Sequence, residues 1–237
     1  MTKNPISLAI ALEAAELVNQ AYDQYQAWKD HKPWLISPDY DLIFEFYAKP
    51  FGTLSTKEPW GFIAVNKESR NTFVILRGTE PKSIGDLLTD AMCVQVDHPH
   101  GRVHYGFNEI TNQLLETVKI IIGEGEAYFA GHSAGASVAT LLADAFTADK
   151  AKAILFASPK TGNSTFKANY KIPTAGFVNA PWDEVPKSPE SIPGLLDYEH
   201  VFNPITFDHP GDVLEAHALQ TYLNAIKALI PQTETLI

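Results

Sequence analysis

A serine flanked by two glycines stands between two apolar segments of this 237-residue chain. Residues 131–135 read GHSAG, an instance of GxSxG, with AYFA before them and ASVATLLADAF after them. The first segment is typical of a buried strand and the second of a helix. A serine on a sharp strand-to-helix turn exposes its hydroxyl, and the helix N-terminus lies where an oxyanion would form. The motif therefore predicts Ser133 as the nucleophile of an acyl-transfer reaction.

A serine hydroxyl is a weak nucleophile, so it needs a general base nearby. In a strand–turn–helix arrangement the partners follow in the order Ser, Asp or Glu, His, which restricts the base to His200, His209 and His217. We expect His217, because it begins a long amphipathic helix directly after a loop, with His209 second. Near a helix N-terminus its imidazole should resist protonation, so activity should rise from about pH 6.

The base in turn needs a carboxylate that orients it. Asp183 directly follows the apolar segment AGFVNA, so a loop at the carboxyl end of a strand would aim it at the site. Asp197, Asp208 and Asp212 lie further into the loop or at the start of a helix. We therefore expect Asp183 to be the acid.

Apolar runs typical of buried strands alternate along the chain with runs of helical spacing. Apolar residues recur every three or four positions over 107–122 and stop at Gly123, which indicates a helix that covers a sheet. A second helix is indicated over 136–146. The predicted strands are 42–47, 62–66, 72–76, 127–130, 153–157 and 175–178. This alternation predicts an α/β fold with a mostly parallel central sheet covered by helices on both faces.

Helices are also expected near both ends of the chain. Asn4 before Pro5 indicates the N-cap and first position of an amphipathic helix, and Asp212 indicates the N-cap of a final one. Between them, six of the sixteen prolines lie within 181–210, so residues 181–212 are expected to be a loop that walls a site. No internal repeat is present, and we expect a single domain over 1–237.

Composition excludes several classes of function. Eighteen basic residues against 28 acidic ones give a net charge of −10, which repels phosphate backbones, so no nucleic-acid partner is expected. Apolar runs are shorter than the roughly 18 residues of a membrane span. Because the N-terminus indicates a helix more than a signal peptide, we expect a soluble protein, with the cytoplasm favoured and a secreted mature form left open.

A metal site is a weaker hypothesis. Cys93 is the single cysteine, which excludes an internal disulfide and a zinc site built on paired thiolates. His98, His100 and His104 form HxHxxxH, a spacing that three zinc ligands could have. Pro99 and Gly101 indicate a turn there, and a buried, hydrogen-bonded His104 explains the rest, so we expect no metal.

Six landmarks in sequence order resemble the class 3 lipases of the fungal type, a family of the α/β-hydrolase superfamily. They are RGT at 77–79, VHYGF at 103–107, GHSAG at 131–135, SPKTGN at 158–163, NAPWDEVP at 179–186 and HALQTY at 217–222. The resemblance covers residues 62–229. It implies a catalytic triad of Ser133, Asp183 and His217, an oxyanion hole formed by Thr79 and the Ala134 backbone N–H, and ester hydrolysis without a cofactor.

The chain also departs from the family pattern. The family usually has a leucine and then two glycines after the nucleophile, where this chain has residues 134–137 as AGAS. The resemblance implies a lid at 80–97, and helical spacing is kept there, although the usual tryptophan is absent. We expect Leu87 and Leu88 of this lid, together with Trp182, to line the substrate site; for the tryptophan an ordinary packed cluster is an equal alternative.

The function expected from these features is hydrolysis of lipid esters, by a triacylglycerol lipase or carboxylesterase. Alternatives are a phospholipase A1 or feruloyl-type esterase with the same triad, and a non-catalytic binding protein that keeps the fold. The expected partner is a lipid ester, with at most transient contact with a lipid interface, and the oligomeric state is left open. Arg77 is expected to form a structural ion pair, and His132 to pack beneath the turn without doing chemistry.

Overall fold

The computed structural model describes residues 6–50, 56–79 and 93–230. Its strands are β1 (Tyr40–Ala48), β2 (Glu58–Asn66), β3 (Thr72–Leu76), β4 (Gln95–His98), β5 (Gly101–His104), β6 (Ala127–His132), β7 (Ala151–Phe156), β8 (Thr174–Asn179) and β9 (Pro204–Phe207). Its helices are α1 (Leu8–Lys29), α2 (Tyr105–Ile122), α3 (Ala134–Asp144), α4 (Ser164–Asn169), α5 (Val213–His217) and α6 (Leu219–Leu229), with a 3₁₀ turn at Val185–Lys187.

A mixed sheet forms the centre of the fold. In the described part of the chain seven strands pair in the order β1-β2-β3-β6-β7-β8-β9, and β4 pairs with β5 in a separate hairpin. The first three strands are antiparallel, whereas every pairing from β3 to β9 is parallel. The prediction of a mostly parallel α/β sheet is confirmed. Because β3, β6 and β8 run parallel, the residues that follow them meet at one edge.

Helices cover both faces of this sheet, as predicted. On one face α2 and α3 bury residues such as Leu114, Val118 and Val138 against Phe129 of β6. On the other face α1 and α6 bury apolar residues against β2, β3, β7 and β8. Buried positions of α1 include Ala11, Ala14, Ala15 and Ala21. Small side chains at helical spacing let α1 pack closely on the sheet, which brings its tyrosines near the carboxyl ends of the strands.

Both terminal helices differ from the prediction. The first begins at Leu8 with Ser7 as N-cap, not at Asn4, and Asn4 and Pro5 lie outside the described residues. Asp212 caps the final helical region as predicted, but this region breaks at Ala218, whose backbone is extended. His217 therefore ends the short helix α5 and does not begin a long one. The helix-dipole reason for its resisting protonation no longer applies.

The structure corrects the loop expected at 181–212 and describes only the end of the lid expected at 80–97. The proline-rich segment 181–212 is not loop throughout, because it contains the 3₁₀ turn and the edge strand β9. In the lid expected at 80–97, residues 80–92 lie outside the described residues, and Gln95 to Asp97 belong to β4. In the proline-rich segment, Pro204 can begin β9 because this strand lies at the edge of the described sheet, where a residue without a backbone N–H breaks no pairing on the open side.

None of the helices in the described ranges has the length and apolar character needed to cross a membrane. In the same ranges, no three histidine, cysteine or acidic side chains are grouped so that they could hold a metal ion. The zinc hypothesis for His98, His100 and His104 therefore has no geometric support.

Candidate active site

Ser133 occupies a strained turn between β6 and α3. Its φ of 56° and ψ of −131° are unusual for a residue with a side chain. A Cβ at Gly131 would collide with the backbone at Gly135, and a Cβ at Gly135 would collide with the carbonyl of Arg77. The two glycines of the GxSxG motif therefore allow α3 to approach β6 and the end of β3, which fixes the serine at the edge of the sheet.

Three side chains predicted from the sequence lie in one hydrogen-bonded row. The Ser133 Oγ lies 2.9 Å from Nε2 of His217, and the Nδ1 of His217 lies 3.0 and 2.9 Å from Oδ1 and Oδ2 of Asp183. All three are buried. An ionised Asp183 accepts from Nδ1–H, which leaves Nε2 free to accept the serine proton. The structure thus brings Ser133, Asp183 and His217 together in the order that nucleophilic catalysis requires.

The carboxylate of Asp183 has two further donors. The hydroxyl of Tyr222 donates to Oδ2 at 2.6 Å, and the backbone N–H of Val185 donates to Oδ1 at 3.0 Å. Burial and the neighbouring carboxylate raise the pKa of Tyr222 well above its usual value, so its hydroxyl keeps its proton. These donors stabilise a buried charge that would otherwise be costly. The role of Tyr222 was not predicted, although it lies five residues after His217.

Asn179 connects the loops that carry the acid and the base. Its Nδ2 donates to the carbonyls of His209 and Ala216 at 3.0 and 3.1 Å, and its Oδ1 accepts from the N–H of His209 at 2.9 Å. The side chain is fully buried at the end of β8. A buried amide with all three of these bonds fixes both loops firmly. Apart from the position of Asn179 in NAPWDEVP, no pattern in the sequence indicates this role.

The segment after β3 lies directly against the nucleophile. A Cβ added to Gly78 would be 2.8 Å from the Cβ of Ser133, so only glycine fits there. The next residue is Thr79, whose buried Oγ1 has no hydrogen-bond partner among the described residues. Buried hydroxyls are normally paired, so this hydroxyl is a candidate donor to a bound ligand. Ala134 is the first residue of α3, and its N–H has no acceptor within the helix.

Arg77 anchors the segment that follows β3, and it forms the structural ion pair predicted from the sequence. Its guanidinium donates to the carbonyls of Pro59 and Gly78, each at 2.7 Å, and forms an ion pair with Glu58 at 2.5 Å. Its central carbon also lies 3.7 Å from the centre of the Tyr25 ring. The side chain is buried and every contact is structural.

The other two candidate bases are occupied elsewhere. His200 Nε2 is 2.7 Å from the carbonyl of Pro186, and burial lowers the pKa of His200 to about 4. His209 is half exposed, and its Nε2 lies 3.8 Å from Glu215. Neither imidazole hydrogen-bonds Ser133.

The other candidate acids also have structural partners. Asp197 accepts from the N–H of Ser164, Asp212 caps α5, and Asp208 accepts from the indole N–H of Trp182 at 2.7 Å. Trp182 is 41% exposed and its indole N–H bonds Asp208, so its expected place in the substrate site stays a prediction. Leu87 and Leu88 lie outside the described residues.

The three histidines of HxHxxxH occupy two places: His98 and His100 both lie near Asp144, with the His98 Nδ1 3.8 Å from its Oδ2, and His104 lies at the start of α2. His104 caps α2, where its Nδ1 accepts from the N–H groups of Gly106 and Phe107 at 3.1 and 3.4 Å. His100 lies in the turn of the β4–β5 hairpin, and its Nδ1 is 2.8 Å from Oδ2 of Asp144 at the end of α3. The expectation of a buried, hydrogen-bonded His104 is confirmed.

Fold and site together define a class of protein. A mostly parallel sheet covered on both faces, with a serine on the turn after a central strand and a histidine supplied from beyond the last strand, is the architecture of the α/β-hydrolases.

Comparison with known proteins assigns the family. The sequence profile described as "Lipase (class 3)" matches residues 73–191, which is half of the chain. The chain belongs to the class 3 lipase family and is a carboxylic ester hydrolase that acts on lipid esters. A search of curated proteins gave no significant match.

Solved structures of lipases share the fold. The Lip2 lipase of Yarrowia lipolytica has 20% sequence identity and a TM-score of 0.65, covering 85% of this chain and 79% of its own. The mono- and diacylglycerol lipase of Aspergillus oryzae has 24% identity and a TM-score of 0.64, covering 86% and 81%. A triacylglycerol lipase described as having a serine protease triad at its catalytic centre has 21% identity and a TM-score of 0.58, covering 79% and 76%.

Proposed function

We propose that this protein hydrolyses carboxylic esters of lipids through an acyl-enzyme formed on Ser133, with His217 as general base and Asp183 as the carboxylate that orients it. One observation carries the proposal: His217 bridges the hydroxyl of Ser133 and the carboxylate of Asp183 with hydrogen bonds of 2.9 to 3.0 Å. A similar fold is found in a triacylglycerol lipase whose catalytic centre is described as a serine protease triad.

Acylation begins when the Ser133 Oγ attacks the ester carbonyl carbon. Its proton passes to Nε2 of His217, and the Oγ–C bond forms as the carbonyl oxygen becomes an oxyanion. When the tetrahedral intermediate collapses, the bond to the leaving alcohol breaks and Nε2 returns the proton to this alcohol. Asp183 keeps the proton of the neutral imidazole on Nδ1 and stabilises the imidazolium. Water then attacks the acyl-enzyme by the same route, which releases the acid and restores the serine.

The oxyanion needs donors on the side of Ser133 that His217 does not occupy. The N–H of Ala134 is available at the start of α3, where the helix dipole also favours negative charge. The Oγ1 of Thr79 supplies a second donor, which accounts for a buried hydroxyl without a partner among the described residues. Both donors are held before the reaction by backbone that packs against the nucleophile.

Loss of the nucleophile is the direct test. Ser133→Ala should lower kcat by about 10⁶-fold, because the attacking oxygen is removed. A fluorophosphonate probe should label the wild-type chain at one site and leave Ser133→Ala unlabelled. A folded wild-type protein that is neither labelled nor active on esters would contradict the proposal and favour a binding protein that keeps the fold.

Thr79 tests the oxyanion assignment. Thr79→Ala should lower kcat by about 10²- to 10³-fold, whereas Thr79→Ser keeps the hydroxyl and should retain most of the activity. Steady-state rates on a soluble p-nitrophenyl ester would measure both variants. Equal losses in the two variants would show that the methyl group matters and the hydroxyl does not.

Hydrolysis of p-nitrophenyl esters with acyl chains of increasing length would define the substrate class. We expect turnover to persist for long acyl chains, as proposed for a lipid-ester hydrolase. Rates should be measured below and above the solubility limit of each ester. Activity restricted to short, soluble esters would assign an esterase in place of a lipase.

A further inference from the structure

A row of hydrogen bonds runs beneath Ser133 and uses no atom of the proposed triad side chains. The backbone N–H of Gly78 lies 2.9 Å from the hydroxyl of Tyr22, and this hydroxyl lies 2.7 Å from Nδ1 of His132. On the other side of the same imidazole, Nε2 lies 2.8 Å from the backbone carbonyl of His217. The row therefore starts at Gly78, next to Thr79, and ends at the backbone of His217, whose side chain is the proposed general base.

The direction of every bond in this row is fixed by chemistry. A backbone N–H only donates and a carbonyl only accepts, so the Tyr22 oxygen accepts from Gly78 and the Nε2–H of His132 donates to His217. Burial, with a smaller effect of His217, holds the pKa of His132 well below its usual value. The neutral ring has a lone pair on Nδ1, which accepts the proton of the Tyr22 hydroxyl. Burial raises the pKa of Tyr22 to about 12, so this proton stays in place.

Helix α1 holds the segment after β3 at two points. Tyr22 binds the N–H of Gly78, while the Tyr25 ring, one turn further along α1, packs on Arg77, which itself donates to the carbonyl of Gly78. The peptide units on both sides of Gly78 are thereby fixed. Gly78 has no room for a side chain, because an added Cβ would be 2.6 Å from the Tyr22 hydroxyl. The position of Thr79 is therefore set by a helix that ends far from it in sequence.

The structure assigns Tyr22 and His132 as positioning residues that set the distance between the oxyanion donor Thr79 and the general base His217 on either side of Ser133. This inference rests on the proposed function and adds Tyr22, which lies outside residues 73–191, the range of the family match. Because a displacement of about 1 Å in a reacting group can cost up to about 10²-fold in rate, a row that fixes both partners affects turnover more than substrate binding.

Tyr22→Phe is the main test, because it removes one oxygen and keeps the ring. We expect kcat on a soluble p-nitrophenyl ester to fall about 10- to 30-fold, with KM changed by less than about twofold. Rates are expressed per active site titrated with a fluorophosphonate, so that unfolded molecules are not counted. Tyr40→Phe is the matched control, since the Tyr40 hydroxyl also bonds α1, through Glu13, and has no link to the site. Tyr40→Phe should keep the wild-type kcat.

Two further comparisons separate positioning from a general structural role. Combined with Thr79→Ala, Tyr22→Phe should cost much less than the product of the two single losses, because the donor that Tyr22 positions is gone. His132→Gln keeps one donor and one acceptor and should retain more activity per titrated site than His132→Leu, which has neither.

The outcomes distinguish this inference from the proposed function. A wild-type chain without ester hydrolysis would overturn both. An active wild type with an unchanged kcat in Tyr22→Phe, or with fully multiplicative losses in the double variant, would overturn the inference alone and leave the proposed function standing.

Discussion

Among the described residues, two hydrogen-bonded histidine–aspartate pairs occupy different parts of this fold. His217 and Asp183 meet at the edge of the sheet after β8, with Nδ1 2.9 Å from the nearer carboxylate oxygen. His100 and Asp144 meet between the β4–β5 hairpin and the end of α3, with a corresponding distance of 2.8 Å. The two contacts are almost equally short, so the distance between imidazole and carboxylate does not by itself indicate which pair could take part in catalysis.

The pairs differ in what surrounds them. Asp183 accepts from a tyrosine hydroxyl and a backbone N–H besides its histidine, and the other nitrogen of His217 bonds Ser133. Within the described ranges, the carboxylate of Asp144 is hydrogen-bonded by His100, and no hydroxyl bonds the Nε2 of His100. The His217 side chain is 3% exposed, whereas that of His100 is 44% exposed. A base needs a nucleophile on one nitrogen and a stabilised carboxylate on the other, and only the first pair has both.

The electrostatic setting of Asp144 also differs. Burial raises the pKa of Asp144, and its neighbours His100 and His98 offset this only in part. Asp144 is moreover the last residue of α3, where the helix dipole is unfavourable for a negative charge. A buried carboxylate at this place is a cost to the fold, and no catalytic gain accompanies it.

The largest expected difference between the pairs comes from the same substitution at each aspartate. Asp183→Asn should lower kcat/KM by about 10⁴-fold, because the amide no longer holds the imidazole with its proton on Nδ1. Asp144→Asn should leave kcat/KM within about twofold of the wild type, since it touches no reacting group. Ester hydrolysis at neutral pH measures both. Comparable losses in the two variants would remove the functional distinction between the pairs.

A smaller effect on kcat is expected when the tyrosine near each carboxylate is replaced by phenylalanine. Tyr222→Phe removes the hydroxyl that donates to Asp183 and should lower kcat about tenfold, with a small change in KM. Tyr170→Phe is the matched control: Tyr170 is buried near Asp144, but its hydroxyl bonds Thr174. We expect wild-type activity for this control. An unchanged kcat in Tyr222→Phe would show that the Val185 N–H and His217 suffice to hold Asp183.

The smallest expected effect is that of Asp144→Asn on the free energy of unfolding, with no effect on activity. The pKa of Asp144 is raised in the folded state, so this state binds the proton more tightly than the unfolded chain does, and the contribution of Asp144 to stability falls as pH rises. Asp144→Asn does not titrate at this position, so its stability relative to the wild type should increase as the pH rises from 4 to 7. Urea unfolding at several pH values measures this.

Asp97→Asn is the control for this measurement, because the Asp97 side chain is fully exposed in the β4–β5 hairpin, which packs against Asp144 through His100. Its stability difference from the wild type should change little over the same pH range. A pH-independent difference for Asp144→Asn would contradict the view that this carboxylate is costly where it lies.

Local patterns in the sequence were sufficient for much of the fold and for the candidate site. The strand predicted at Thr72–Leu76 has those bounds in the structure, and the helix predicted to stop before Gly123 ends at Ile122. The order of Ser133, Asp183 and His217 along the chain led to three side chains that the structure brings together, and their catalytic roles remain the proposal made above. These features depend on neighbours in sequence, which a pattern can report.

The break at Ala218 was missed for a physical reason. Helical spacing continues through this position, so propensity favours one uninterrupted helix. In the folded chain the carbonyl of Ala216 is held by Asn179, and the ring of His217 is held by Asp183 and Ser133. These contacts, made to residues far away in sequence, fix the backbone before α6 begins and override the local preference.

The sequence by itself determined the alternating strands and helices, the strained serine turn with its two glycines, and the short set of histidines and aspartates that could assist it. Tertiary structure decided that the expected Asp183 and His217, and not the other candidates, lie at the serine. It also decided that Tyr22 of the first helix contacts the segment beside Thr79, and that Asp144 and His100 pair without a nucleophile. The reason is that hydrogen-bond partners and burial arise from the approach of distant segments as the sheet and its helices pack, whereas periodicity and turn chemistry are properties of adjacent residues.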